Sequence, residues 1–267
     1  MDRSLEPALV TLLLWLLFGG SHIALAAPPL RARLVERLGR WGFLLLYYAV
    51  AIPTFTLLVG WLATHRFEGA AGLGLGATAA SPWLGAVALV GMALVVVALL
   101  DYPRSAYTTH NAEAETPRGI ERVTRHPFFV GLVLLGATHA LLASRLVATA
   151  FMAGLTAFVL IGAACQDRKL LALRGAPYAR YLEQTSTLPF AAILAGRTTL
   201  AWSDLPWVGL AAGGAAAFAL RAAHGGILDH GGLWVSGAVA GGAILFALRQ
   251  YWLERRSHRP TPQGVAS

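Results

Sequence analysis

The sequence predicts an all-α protein, a polytopic bundle of about seven transmembrane helices. Three observations predict it. Hydrophobic residues fill 57% of the 267 positions and charged residues only 13%, about half the charge of an ordinary soluble domain. The apolar residues come in long runs rather than in alternation, and a run of about 18 or more is what a bilayer-crossing helix needs. Seventeen of the 21 Lys and Arg fall in alternate connections, the bias that marks the cytoplasmic side.

In chain order the spans are expected at Pro7–Ala27, Trp41–Ala63, Trp83–Leu100, Pro127–Leu142, Leu146–Ala164, Leu205–Ala222 and Leu233–Tyr251. The fourth is short. "ALA" at Ala24–Ala26 has the look of a signal-peptidase site, but Asp2 and Glu6 outnumber Arg3 before it. A cleaved leader starts basic, so the first span is read as retained. The basic clusters Arg31–Arg40, Arg104–Arg125, Arg168–Arg197 and Arg249–Arg259 face the cytoplasm, with single arginines (Arg3, Arg66, Arg145, Arg221) outside. The N-terminus is then outside and the C-terminus cytoplasmic. The net charge of +8 is spent on topology and on membrane lipid headgroups, not on nucleic acid.

Residues 1–197 are expected to form the main transmembrane unit, 198–253 two further helices, and 254–267 a disordered tail. Glu68–Pro82 is Gly/Ala-rich and reads as a flexible outer connector. Asp101–Arg125 is long and polar, a candidate site-forming loop. Segment 166–197, "QDRKLLALRGAPYARYLEQTSTLPFAAILAGR", reads as amphipathic turns on the cytoplasmic surface. Gly175 is a natural helix stop and Pro177 a first-turn residue, and Tyr178 and Tyr181 suit the membrane interface. Cys165, the single cysteine, excludes an internal disulfide and a cysteine metal set; it reads as a small helix-packing residue.

Eight histidines are present. His65, His110, His224 and His230 read as solvated edge or loop residues, and His258 as part of the tail. His126 precedes Pro127, which starts the fourth helix and keeps His126 out of helical geometry. It belongs at the cytoplasmic mouth beside Arg125. His139 lies about 20 Å further along that helix and some 220° around it, so the two cannot share an ion. His139 and His22 are both expected within ~10 Å of the midplane, among small residues (Gly19, Gly20, Ser21; Gly136, Ala137, Ala140) that let helices or a flat cofactor approach. A buried imidazole needs partners. Hydrogen bonds to a neighbouring helix, metal or haem ligation by the two rings, and a proton relay all stand open.

Four stretches carry a resemblance: "GGSHIA" (Gly19–Ala24), "RHPFFVG" (Arg125–Gly131), "ATHALL" (Ala137–Leu142) and segment 166–197. Through them the chain resembles the NnrU family of bacterial inner-membrane proteins. Its members are associated with denitrification and the production of nitrite and nitric oxide reductases. The family is similar to plant 15-cis-ζ-carotene isomerases, haem b membrane enzymes. That likeness implies haem b held by His22 and His139, and redox-gated isomerisation of a lipophilic small molecule. The plant enzymes' cysteine near the second histidine has no counterpart among Leu135, Gly136 and Ala137 here. Arg125 and His126 are expected to form a catalytic polar mouth, completed by Asp167 and Arg168. Denitrification proteins are the implied partners. Arg125, His126, Pro127, Gly131, Asp167, Leu171, Gly175, Tyr178, Tyr181 and Pro189 also resemble the S-adenosylmethionine cradle of membrane methyltransferases, the alternative cofactor. A non-catalytic assembly factor is the third class.

Overall fold

A computed structural model describes residues 3–101 and 116–257. The long-loop residues His110, Glu113 and Glu115, and His258 with the rest of the tail, lie outside the described residues. Every named element is helical, and Ala71 and Arg145 make one isolated antiparallel bridge. α1 spans Glu6–Ala26, with Pro7 in its first turn, where a missing N–H costs nothing. One wider π turn, Leu16–Gly20, interrupts it just before His22. Ala27 is extended, and Pro28 starts α2, Pro28–His65.

α2 is two helices in one. Gly39 (φ 71°, ψ 169°) breaks it, in a backbone region open essentially to glycine alone. The first piece carries Arg31, Arg33, Glu36 and Arg37, the second the apolar span, so residues read as a basic connection are largely helical. α3 is Ser81–Asp101, α4 Pro127–Leu142, α5 Leu146–Arg174, α6 Ala176–Gln184, α7 Ala191–Leu194, α8 Trp207–Ala222 and α9 Leu233–Ser257. α9 thus runs into the stretch expected to be tail.

Five stretches are long and apolar enough to cross a membrane: Glu6–Ala26, Pro28–His65, Ser81–Asp101, Leu146–Arg174 and Asp229–Arg249. α4 and α8 are apolar but shorter, 16 residues each, or about 24 Å. Large apolar side chains cover the outside: Leu13, Leu16, Leu45, Trp83, Leu100, Val208 and Leu245 are all exposed. Lipid is the solvent that makes such a surface stable.

Helix contact is made through small residues. A Cβ on Gly131 would meet the Gly91 carbonyl oxygen at 2.5 Å, and one on Gly136 would meet Thr156 Oγ1 at 2.5 Å. α3, α4 and α5 therefore touch backbone to backbone. Gly213 of α8 sits close to Ala93 of α3, at 2.8 Å on the same measure, and Gly154 of α5 lies under the Trp15 ring of α1. Trp15, Phe18, Leu58, Val59, Leu62 and Phe151 form the main buried cluster.

The Glu68–Pro82 connector is not loose. Ala70 N–H donates to the Ser4 carbonyl, and Gly72 N–H to that of Ser144. A Cβ on Gly72 would strike the Ala143 carbonyl. Gly72 and Gly76, read as flexibility, are there for close approach to the end of α4 and the α4–α5 turn.

Candidate functional site

Arg125, His126 and Asp167, placed together by the sequence reading, do meet. Thr124, Arg125 and His126 run alongside the segment after α6. Arg125 N–H donates to the Ser186 carbonyl, Phe190 N–H to that of Val123, and Thr124 Oγ1 to that of Thr187. Pro127 then starts α4 and fixes His126 outside it. Asp167, near the C-terminal end of α5, receives all three neighbours. Arg125 Nε donates to Oδ2 at 3.0 Å, Tyr178 Oη–H to Oδ1 at 2.7 Å, and His126 Nε2 lies 3.0 Å from Oδ1.

Three expectations about this region need correction. His126 was placed at the water's edge; its side chain is fully buried. Tyr178 and Tyr181 were placed at the membrane interface; they are 1% and 0% exposed and pack on Leu170. Their rings face inward because the Tyr178 hydroxyl has a carboxylate to reach and α6 folds back under α5 at Gly175 (φ 60°). Cys165, read as a packing residue, is exposed. Arg168 is exposed as well. The Tyr181 hydroxyl is buried with no hydrogen-bond partner. Burial first, then Glu121 and Tyr178, push its phenol well above the ordinary value, so it stays a protonated donor.

The two deep histidines are held differently. His22 lies in a cage of rings: Tyr47 at 4.9 Å between centroids, Phe158 at 5.3 Å and Phe18 at 5.5 Å. Its Nε2 is 2.6 Å from Tyr47 Oη, and its Nδ1 is buried without a partner. Tyr47 was missed in the sequence. Its signal was a phenol inside an apolar span, a polar group that must find a partner there. Beside it, Tyr48 lines an apolar cleft of about 360 Å³ between α2 and α9, with Trp41, Ile244, Ala247 and Leu248.

His139 sits in the last turn of α4. Its Nδ1 is 2.8 Å from the Leu135 carbonyl oxygen, so Nδ1 carries the proton and Nε2 the lone pair. Its neighbouring ring is His224, at 5.9 Å and nearly parallel.

α5 serves as a ruler for the separation of His22 and His139. α1 runs parallel to it: Trp15 bonds the Phe151 carbonyl, and Gly19 abuts Phe158. α4 runs antiparallel: Gly136 abuts Thr156, and Thr149 reaches the Ala140 carbonyl. His22 therefore lies at or beyond the level of Phe158, and His139 near that of residues 149–152, about 12 Å apart along the axis. An iron takes two imidazole nitrogens within about 4 Å of each other, twice a metal–nitrogen bond. A haem slung between His22 and His139 does not fit this arrangement.

Among the described residues no group of three or more His, Cys, Asp or Glu could hold a metal ion. The sequence model of the NnrU protein family matches residues 10–228. The 15-cis-zeta-carotene isomerase, chloroplastic, of Arabidopsis thaliana is 30% identical over 201 residues, covering 73% of this chain and 53% of the relative. That of Zea mays is 28% identical over 202 residues, covering 72% and 52%. The chain thus spans about half the length of these relatives. No solved structure matches it.

Proposed function

The chain belongs to the NnrU family, and from that premise we propose that it binds and isomerises a lipophilic, unsaturated small molecule from within the bilayer. One observation carries the reading: His22 presents a buried, unpartnered Nδ1 inside a cage of aromatic rings. Ring faces grip an extended apolar chain, and a single polar atom gives it register. The cleft beside Tyr48 gives such a molecule lateral contact with the same wall of α2. Tyr47 holds the His22 ring in place through Nε2 and leaves Nδ1 as the working nitrogen.

In this reading the chain crosses a bacterial inner membrane seven times, N-terminus outside, with α4 and α8 completing the five longer spans. Its lipophilic product serves the production of denitrification enzymes. The haem b that the resemblance implies is part of the assay rather than of the mechanism. Detergent-purified chain is incubated with a cis-polyene such as 15-cis-ζ-carotene, isomers are separated chromatographically, and a pyridine haemochrome spectrum is taken on the same sample. Conversion that falls at least tenfold in His22→Ala, and severalfold in Tyr47→Phe, supports the reading. Absence of conversion by well-folded wild type, with and without supplied haem, sinks it.

A second reading has its own observation. The Arg125–His126 loop and the segment after α5 fold into one unit around Asp167, as an S-adenosylmethionine cradle requires. Saturable S-adenosylmethionine binding, lost in Asp167→Asn, favours it.

A further inference from the structure

We infer that His139 and His224 form a two-histidine site for a divalent transition-metal ion at the outer end of the bundle. The inference stands apart from the isomerase reading and uses neither His22 nor the Asp167 cluster. His224 was read as a solvated edge residue. It opens the short helical turn after α8, at the outer end that α8 shares with the end of α4.

The two rings come from segments 85 positions apart, with centroids 5.9 Å apart and planes inclined by 20°. Metal–nitrogen bonds of about 2.0–2.1 Å put each imidazole centroid about 3.2 Å from a shared ion. Two rings on one ion then lie roughly 5 to 6.4 Å apart, depending on the angle at the metal. The observed spacing falls inside that range.

His139 is prepared as a ligand. Its Nδ1–H donates to the Leu135 carbonyl at 2.8 Å, which fixes the tautomer and leaves Nε2 as the donor atom; a carbonyl behind the imidazole is the usual support of a metal-bound histidine. His224 is exposed and His139 only partly buried, so an ion can enter from the outer aqueous side. Imidazole pairs suit Zn²⁺, Cu²⁺ and Ni²⁺, and water completes a set with two protein ligands. Arg221 lies one helical turn before His224 and opposes a cation. The site is therefore expected to be of moderate affinity and open to exchange.

The test uses the full chain in detergent, purified through a tag without histidine and stripped with chelator. Cu²⁺ and Zn²⁺ are titrated calorimetrically, and the Cu²⁺ form is examined by electron paramagnetic resonance for nitrogen hyperfine structure. One equivalent is expected, with two nitrogen ligands. Affinity should fall at least tenfold in His224→Ala and in His139→Gln, and stay unchanged in His230→Ala. His224 is on the surface, so its variant should elute monodisperse even if the His139 variant does not. Binding unaltered by His224→Ala overturns the assignment. So does a stoichiometric haem that needs His139 and His22 but survives His224→Ala.

Discussion

Asp167 is where one side chain decides most. A carboxylate that takes hydrogen bonds from Arg125 and Tyr178 and lies 3.0 Å from His126 Nε2 holds the α4 entrance, α5 and α6 together. Asp167→Asn keeps the shape but leaves the half-buried Arg125 without its anion, a loss of about 3 kcal/mol. Tyr178→Phe strands one lone pair on Asp167 and costs about 1–3 kcal/mol. Tyr181→Phe is its control: the hydroxyl it removes has no partner, so stability should hold or rise slightly. Thermal unfolding of the three purified variants checks the order, and a Tyr181 variant as unstable as the Tyr178 one would refute it. The meeting of Arg125, His126 and Asp167 was legible because a resemblance put them on one motif. The burial of His126 and both tyrosines was not. An isolated string shows that a ring can sit at an interface, but not that a carboxylate eleven residues upstream will pull it inside.

Among the elements, the spans were legible from apolar runs, and the close contacts were not. Gly91, Gly131 and Gly136 could each have been plain lipid-facing glycine. Only the pairing of α3, α4 and α5 shows that a Cβ there collides with backbone. Gly131→Val should therefore separate α3 from α4 and abolish monodisperse extraction, whereas Gly85→Val, with open space around it, should be silent. Size-exclusion profiles of the two read this directly. The turn into α8 offers a pH test. Asp204 accepts from the Gly119 N–H at 2.7 Å and from Arg122 Nε at 3.2 Å. The Gly119 bond foremost, helped by Arg122, lowers the Asp204 carboxyl, with burial opposing them. Because the folded value lies below the unfolded one, this clamp is intact above the ordinary carboxylate range. It is lost as pH falls through the lowered value. The exchange protection of the Gly119 amide should fall in that window, and in Asp204→Ala, which removes the acceptor, it should be low at every pH.

At the scale of the whole molecule, the path of the chain through the membrane turns on α4. By length alone α4 falls short of a 30 Å hydrocarbon core. Its neighbours argue that it crosses. α3 and α5 are long enough, α4 is pressed against both through Gly131 and Gly136, and only Ala143–Arg145 separates it from α5. A three-residue turn makes α4 and α5 antiparallel, and close packing puts α4 at the same depth as its partners. If α4 crosses, residues after α5 lie on the side opposite Thr78; if it does not, they share its side. Two single-cysteine chains decide between these. In a Cys165→Ser background, Thr78→Cys and Ala176→Cys place one exposed thiol before α3 and one after α5. Intact spheroplasts treated with a membrane-impermeant maleimide should label Thr78→Cys and spare Ala176→Cys until the membrane is opened. Equal labelling of both from outside would remove α4 from the membrane and reverse the inferred side of the Arg125–Asp167 cluster. That side matters for function, because the basic loops and the cluster are then on the face where a water-soluble partner or head group meets the chain. His139 and His224 are at the other end.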